Sequence, residues 1–413
     1  MTNGWNRDAE GRLRRDTWHR MGRRLPGWDY RRAGYYAITI VLAERSSQVL
    51  GKLMVRKIPD GEWLPVMQAK ELGLSPEDIE ARVEFSELGR AIFNHFQRMG
   101  EFTPGLKPIF CAVMPDHLHL LLQVERALER PLGNAIGGFK TGCEKIFTQM
   151  GGTGRLFAGG FVDHVILRAG QLAAEFNYLL DNPRRLAIKR LCPELFKVAR
   201  RVGISLRLAP QGQVCCAPAA QAVGWFSAIG HHFLVQRRLV QVQVSRRDFG
   251  YQRSNGRIVR DANGVPKIAF ITPEYTARHD LLLGMAAQGA VLLSPCISDG
   301  ERQIAREALE AGVPLVTMHN KGFAQLQKPS GRYFEACVGG RLLMLAPIAW
   351  PYQVNEKPMT RLDAMAMNRL SQWLAGDGAA VVNYRGMTLA NVDQLALSAV
   401  CADGFDEGRK RQL

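Results

Sequence analysis

The sequence lacks the features that would place the chain in a membrane, in an export pathway or around a structural zinc ion. No apolar run approaches the roughly 18 residues that a membrane span needs, and the N-terminal residues contain no apolar signal-peptide core. The eight cysteines are scattered, and none has the paired spacing of a zinc site. We therefore expect a cytoplasmic protein with no membrane partner, whose cysteines are reduced thiols packed as small hydrophobic side chains.

Acidic residues are few relative to basic ones. The 413 residues include 54 lysines and arginines against 38 acids, which gives a net charge of +16 and favours a polyanionic partner. Residues 1–32 carry nine arginines and four acids with four interleaved aromatic residues, and residues 184–207 carry eight basic residues and one acid. Arginine beside aromatic residues is typical of single-strand nucleic-acid binding, although a solvated basic tail would have the same composition.

The two halves of the chain have different hydrophobic patterns. The hydrophobic pattern of the first half predicts strands and helices in mixed order. The predicted strands are at 34–42, 48–55, 108–114, 117–124 and 161–168, and the predicted helices are at 77–99, 131–149 and 171–182. Antiparallel strands interrupted by helices indicate an α+β domain. The second half predicts regular alternation, with strands at 268–272, 290–294, 314–318 and 341–346 and helices near 276–288, 300–311 and 361–375. Such alternation indicates an α/β domain with a parallel sheet and helices on both faces. The expected division is a basic arm at 1–33, a first domain at 34–208, a linker at 209–225 and a second domain at 226–413.

The clearest chemical pattern is Met-Pro-Asp-His-Leu-His at residues 114–119. Side chains alternate faces along a strand, so His117 and His119 point the same way while Leu118 points the other way. Two imidazoles side by side on one face make a two-nitrogen metal site. A pair of exposed or hydrogen-bonded strand histidines would produce the same spacing.

A second pattern lies in the helix predicted to end near Pro183. At about 100° per residue, Tyr178 falls roughly 145° from the centre of the apolar stripe, which is formed by Leu172, Phe176, Leu179 and Leu180. Asn182 is four residues further on, and Pro183 should end the helix there. The helix would then present a phenol and an oxygen ligand together, although a tyrosine lying over the surface would fit the same pattern.

Together these residues suggest a reaction. A divalent ion held by two histidines and one side-chain oxygen would keep open positions for a phosphate oxygen and would assist a weak tyrosine nucleophile. The product would be a phosphotyrosine and a free 3′-hydroxyl. The same residues also suit two other functions: a metal-dependent phosphodiesterase that uses activated water, and a non-catalytic DNA-binding regulator that keeps the fold.

These motifs resemble, in their order, the HUH-type single-tyrosine transposases, especially the branch associated with repetitive extragenic palindromes. The resemblance covers about residues 25–190 and rests on six blocks, at 25–30 (Leu-Pro-Gly-Trp-Asp-Tyr), 35–39, 114–119, 139–141, 160–168 and 178–183. The Gly-Arg-Glu-Tyr-Trp motif of many members of that branch is absent, and this chain is much longer than a usual single-domain member. His164 lies within a matching block, and we expect it to have a structural role.

The resemblance implies an HUH-type fold for the first domain and assigns roles to single residues. His117 and His119 would bind Mg²⁺ or Mn²⁺, Asn182 would be the third ligand, and Tyr178 would be the nucleophile. The implied substrate is single-stranded DNA bearing hairpins, and the oligomeric state, including a homodimer, is left open. The predicted DNA-binding residues are Arg23, Arg24, Arg31, Arg32, Lys140, Arg184 and Arg185.

The second domain carries less chemistry. Its strand at 290–294 runs into a turn with Ser298 and Asp299 and then a helix, a pattern that can receive an anion but that we interpret as a helix cap. The pattern loosely resembles the Rossmann-like fold of DNA-processing-chain-A and lysine-decarboxylase-like proteins. There is no Gly-x-Gly-x-x-Gly sequence, so we expect no nucleotide cofactor and assign this domain an accessory role in DNA handling or partner contact.

Overall fold

The computed structural model describes residues 5–7, 13–15, 25, 27–168, 170–208, 220–324, 327–352, 359–376 and 389–401. The chain forms two compact units. The first comprises Met1–Leu191 with Asp261–Val265, and the second comprises Cys192–Arg260 with Pro266–Leu413. Within the described ranges no helix is both long enough and apolar enough to cross a membrane.

The first unit is a mixed α/β structure. Its described elements are, in chain order, β1 (Trp5–Arg7), β2 (Leu13–Arg15), β3 (Gly34–Val41), β4 (Gly51–Lys57), β5 (Leu64–Pro65), α1 (Val66–Glu71), β6 (Ile79–Phe85), α2 (Glu87–Gln97), α3 (Met99–Phe102), β7 (Leu106–Val113), β8 (His117–Val124), α4 (Leu132–Gln149), β9 (Val162–Ile166), α5 (Gln171–Leu180) and α6 (Asn182–Leu191).

A four-stranded antiparallel sheet in the order β7–β8–β3–β9 forms the centre of this unit. One face of the sheet packs against α2 and α4, whose buried residues recur at helical spacing. The core on this face includes Ile38, Ile40, Leu118, Leu120, Leu122, Leu88, Ile92, Phe96, Leu132, Ile136 and Phe139. The predictions of strands near 108–114, 117–124 and 161–168 and of a helix near 131–149 are confirmed to within a few residues.

The predicted helix at 77–99 is wrong in its first half. Residues 79–85 form β6, which pairs with β4 in a separate three-stranded sheet, β5–β4–β6. Charged residues alternate along β6 with partly or fully buried ones, and this period of two fits a strand. Ser86 then caps α2, because its Oγ accepts a hydrogen bond from the amide of Gly89 at 3.0 Å.

The second unit contains a six-stranded sheet with helices around it. Its described elements are β10 (Ala199–Leu208), β11 (Ala220–Gly230), β12 (Leu239–Gln241), β13 (Phe249–Tyr251), β14 (Arg253–Ser254), β15 (Arg257–Ile258), β16 (Ile268–Ile271), α7 (Pro273–Ala287), β17 (Val291–Ser294), α8 (Asp299–Glu310), β18 (Leu315–Met318), α9 (Arg332–Val338), β19 (Leu342–Pro347), α10 (Arg361–Ala375) and α11 (Leu389–Val400), with 3-10 turns at Pro193–Phe196 and His232–Gln236.

The order of the large sheet is β10–β11–β19–β18–β17–β12. The four strands from β19 to β12 are parallel, while β10 and β11 are antiparallel to their neighbours. Alternate residues of the parallel strands enter two cores: Leu292 packs with α7 and α8, and Leu293 packs with α10 and α11. Helices therefore cover both faces, and the Rossmann-like classification of residues 226–413 stays a prediction.

Several boundaries in the second half differ from the prediction. Ile268–Ile271 pairs with Phe249–Tyr251 in a two-stranded sheet and is not part of the large sheet. The short strand Leu239–Gln241 occupies the edge of the large sheet instead. Ala199–Leu208, expected in the first domain, belongs to the second unit. Of the linker expected at 209–225, residues 209–219 lie outside the described part, and the remainder is strand.

The turn after β17 is a helix cap, as interpreted from the sequence. The Ser298 side chain accepts from the Glu301 amide, and the Glu301 carboxylate accepts from the amides of Ile297 and Ser298. Glu301 is buried and also accepts from the amide of Val244. The Glu301 carboxylate thus accepts the hydrogen bonds of the backbone amides in this turn, in the position where an external anion would bind.

Candidate active site

Two histidines of β8 converge on the face of the main sheet opposite α2 and α4. Leu118 and Leu120 are fully buried in the core, while His117 and His119 alternate with them and are partly exposed. The two imidazole Nε2 atoms lie 3.1 Å apart, and the rings meet edge to face. The strand alternation therefore aims both nitrogens at one point.

The other nitrogen of each ring has its own partner. His117 Nδ1 lies 2.6 Å from the carboxylate of Asp116, and His119 Nδ1 lies 2.9 Å from the hydroxyl of Thr39. Thr39 is opposite His119 in the pairing of β3 with β8. These contacts orient the rings. When both rings are neutral and each carries its proton on Nδ1, the two Nε2 lone pairs can bind a metal ion, the arrangement that outer-shell partners give to metal-binding histidines.

The electrostatics of the site keep its acid charged and one of its bases neutral. Burial alone would raise the pKa of Asp116, but the hydrogen bond and charge of His117 and the charge of Arg45 lower that pKa to about 2. Burial, with the charges of His117 and Lys189, lowers the pKa of His119 to about 3. His119 is therefore neutral near pH 7 and can donate a lone pair to a metal ion.

Tyr178 lies on α5, beside the histidines. The helix is anchored by Leu179, which is buried, and by Phe176, whose ring packs edge-on against Phe110 of β7 at 5.2 Å. Tyr178 is 41% exposed, and its ring centroid is 6.3 Å from that of His119. Leu180, expected in the buried stripe, is the last residue of the helix and is 52% exposed.

The end of α5 differs from the prediction at Pro183. The helix ends at Leu180 with Asp181 as its C-cap, and a new helix, α6, begins at Asn182. Pro183 thus stands in the first turn of α6, where its missing N–H costs nothing. Asn182 is buried, and its Nδ2 has no hydrogen-bond partner within the described part of the chain. A buried amide of this kind normally has a partner.

One cation of α6, Arg185, lies over the ring of Tyr178. The guanidinium carbon of Arg185 lies 5.4 Å from the centre of the Tyr178 ring, and Arg185 is buried. Its Nη1 is 3.7 Å from Asp181, which also accepts from Arg184 at 2.6 Å. The buried guanidinium of Arg185 therefore lies between the Tyr178 ring and the Asp181 carboxylate.

The residues present fit a divalent metal ion. Two ligands that each bond one ion at about 2.1 Å can lie roughly 3 Å apart, and the two Nε2 atoms are at 3.1 Å. Among the residues that the structure describes, no three His, Cys, Asp or Glu side chains form a metal-binding group. A third protein ligand would have to come from another side chain; Asn182 is the predicted one, through its Oδ1, and that role stays a prediction.

The predicted DNA-binding residues lie in different surroundings and stay predictions. Arg23 and Arg24 fall outside the described residues. Arg31 is bound by the Asp29 carboxylate, and Arg32 lies over the ring of Trp28 at 5.0 Å. Lys140 donates to the carbonyls of Ala158 and Gly160, so it ties a loop to α4. His164, expected to be structural, contacts Gln171 and Glu175 of α5.

Sequence reasoning did not single out Thr39, Asp116 or Lys189. Asp116 stands inside the Met-Pro-Asp-His-Leu-His motif, so its place beside His117 was the one available signal. Thr39 reaches His119 through strand pairing across 80 residues of chain, which no local pattern indicates.

No protein-family model and no curated protein matches the sequence. Among solved structures the chain is similar to a REP-associated tyrosine transposase bound to a REP hairpin, with 14% identity and a TM-score of 0.24, over 39% of this chain and 72% of that one. It is also similar to a protein from Deinococcus radiodurans R1 described as a transposase, with 14% identity and a TM-score of 0.22, over 39% of this chain and 96% of that one.

Proposed function

We propose that the protein cleaves and rejoins single-stranded DNA through a covalent link to Tyr178. The observation that carries this proposal is the position of the Tyr178 ring, 6.3 Å from the ring of His119 and next to two imidazoles whose Nε2 atoms converge. A half-exposed phenol beside a metal-type site is suited to nucleophilic attack on a phosphate.

In the proposed reaction the Oη of Tyr178 attacks the phosphorus of a DNA phosphodiester. A bond forms between Oη and phosphorus, and the bond from phosphorus to the 3′-oxygen breaks. The phenol proton passes through solvent to the departing 3′-oxygen, so the products are a 5′-phosphotyrosine and a free 3′-hydroxyl. Attack by a 3′-hydroxyl of another end reverses the step and joins the strands.

The surrounding residues have separate tasks in this scheme. His117, His119 and Asn182 would hold Mg²⁺ or Mn²⁺, which when bound polarises the scissile phosphate and offsets its developing charge. Asp116 and Thr39 hold the two imidazoles in orientation. Arg185, buried over the Tyr178 ring, presents positive charge where the phosphate must enter.

Hairpin-bearing DNA is the proposed substrate, because the ordered motifs over residues 25–190 resemble a family that acts on such DNA. The excess of basic residues in the chain suits any nucleic-acid strand. We assign the chemistry to the first unit and an accessory role in DNA handling to the second. The number of subunits in the active species is left open.

A cleavage assay with paired variants tests the proposal. Wild-type protein should cut labelled single-stranded hairpin DNA in the presence of Mg²⁺ or Mn²⁺, whereas His117→Ala and His119→Ala should not cut while retaining the fold. His279→Ala serves as the matched control, since that histidine lies in the second unit and pairs with Glu307. Cleavage at the wild-type rate by both site variants would refute the proposed site.

A further inference from the structure

A cavity lies in the first unit, on the other face of the main sheet from the histidines. The cavity has a volume of about 710 Å³ and opens between the end of α2, α3, the loop after β8 and α4. Both α2 and α4 pack on the sheet face that carries Leu118 and Leu120, so the sheet separates this cavity from His117 and His119. The volume is in the range of small-molecule sites, about 300–1,000 Å³.

The cavity has aromatic walls and an apolar floor. The rings of His95 and Phe139 stack in parallel, with centroids 5.4 Å apart, and Phe102 lies 6.0 Å from His95. Buried Met99 and Leu128 complete the floor. Phe102 is 62% exposed at the cavity wall. The guanidinium carbon of Arg98 lies 5.4 Å from the centre of the Phe102 ring, and the remaining aromatic surface faces solvent. A planar aromatic ligand would cover that surface.

Three basic side chains also line the cavity: Arg126, Arg130 and Lys145. Within the part of the chain that the structure describes, none of the three makes a hydrogen bond or an ion pair. Other arginines of this unit, such as Arg56 and Arg98, are paired with glutamates. The cavity holds one acid, Glu129, against these three cations, so it favours an anion.

We propose that this cavity binds a nucleoside phosphate, with its base against Phe102 and its phosphate on Arg126, Arg130 and Lys145. An aromatic wall beside unpaired cations suits a ligand that is planar at one end and anionic at the other. The side chains of Asn134 and Thr141, which also line the cavity, can hydrogen-bond the polar edge of a base. The ligand is either a free nucleotide or one nucleotide of a DNA strand, and both present the same chemistry.

Two adjacent glycines of α4 allow a matched test. Gly138 lines the cavity and Gly137 does not; both are exposed, and a Cβ added at either meets nothing within 4 Å. Replacing an exposed helical glycine by leucine favours the helix, so both variants should fold. Gly138→Leu would place its side chain in the cavity, and Gly137→Leu would place the same side chain outside it.

Calorimetric titration of the full chain with each deoxynucleoside 5′-monophosphate, and with an eight-nucleotide single strand, measures the binding. We expect saturable binding that Gly138→Leu weakens at least tenfold and Gly137→Leu leaves unchanged, with Arg130→Gln also weaker. If Gly138→Leu weakens the binding of a monophosphate and Gly137→Leu does not, the ligand is a free nucleotide. If Gly138→Leu weakens only the binding of the eight-nucleotide strand, the ligand is a nucleotide within DNA. Equal affinities of the two leucine variants for every probe, or no binding of any probe by the wild type, would overturn the inference.

Discussion

Replacing Asp116 by asparagine should weaken metal binding without removing a metal ligand. The Asp116 carboxylate lies 2.6 Å from His117 Nδ1, and its pKa is about 2, so at neutral pH it is charged and accepts the Nδ1 proton. Asparagine has the same size and can still accept that proton through its carbonyl oxygen. The substitution therefore removes the negative charge while it keeps the orientation of the ring.

The expected loss follows from the role of such partners. Removing an outer-shell partner of a metal-bound histidine lowers affinity by about 10–100-fold, which corresponds to about 1.4–2.7 kcal/mol. Because asparagine preserves the hydrogen bond, we expect a loss nearer tenfold. Thr39→Val removes the hydroxyl next to His119 Nδ1 and should cost a similar factor, since that nitrogen would then have no described partner.

Titration of the purified chain with Mn²⁺, followed by electron paramagnetic resonance of the free ion, measures both effects. Asp60→Asn is the control, because Asp60 is an exposed carboxylate in a turn. Asp116→Asn should bind Mn²⁺ about tenfold more weakly than Asp60→Asn. If Asp116→Asn binds Mn²⁺ with wild-type affinity while His117→Ala loses binding, the outer-shell reasoning fails.

Three further predictions concern other parts of the chain. Deleting residues 1–24, which hold seven arginines and three acids, should weaken single-strand binding and flatten its dependence on salt; an unchanged slope in fluorescence anisotropy titrations would show that these residues do not contact phosphates. Glu301→Gln should lower the free energy of unfolding of the second unit by about 1–3 kcal/mol in urea unfolding. The NH2 group of the glutamine would face a backbone N–H that now donates a hydrogen bond to the carboxylate, and two donors cannot bond each other. Unaltered stability would contradict the proposed cap. Burial lowers the pKa of His319 to about 4, so the unfolded chain binds the additional proton between about pH 6.5 and 4, and stability should fall with decreasing pH there by at most about 1.4 kcal/mol per unit. His319→Gln should lose that slope, and an equal slope in the variant would rule out His319 as its source.

The parts of the fold that the sequence predicted well are those with strong local periodicity. The alternation around His117 and His119 determines which face they share, and the long helix Leu132–Gln149 has buried residues at regular helical spacing. The prediction of one helix over residues 77–99 was wrong in its first half because the spacing of Ile79 and Val83 fits both a helix and a strand. Hydrogen bonding to β4 stabilises the strand there. Short strands such as Leu239–Gln241 are specified by their neighbours in the sheet and have too few residues for a pattern.

The candidate site was predictable to the extent that its residues lie in motifs. His117, His119 and Tyr178 can each be identified from the sequence pattern around them. In the structure the ring centroids of Tyr178 and His119 are 6.3 Å apart. The contact of Thr39 with His119 depends on the register between β3 and β8. The position of Arg185 over Tyr178 depends on the break between α5 and α6. Pro183 does not locate that break in the sequence, because a proline can follow the end of one helix or stand in the first turn of the next. The cavity beside Phe102 depends on the tertiary packing of α2, α3 and α4, which no local pattern reports.

The most direct test of the proposed function is to identify the atom that becomes bonded to DNA. Wild-type protein is incubated with hairpin-bearing single-stranded DNA and Mg²⁺, denatured and digested, and the modified peptide is sequenced by mass spectrometry. The nucleotide should be found on Tyr178, and Tyr178→Phe should give neither adduct nor strand transfer. Tyr352→Phe, which changes a tyrosine of similar exposure, 43% against 41%, should behave as the wild type. Efficient cutting by Tyr178→Phe with a free 5′-phosphate and no adduct would contradict the covalent mechanism and indicate hydrolysis by water.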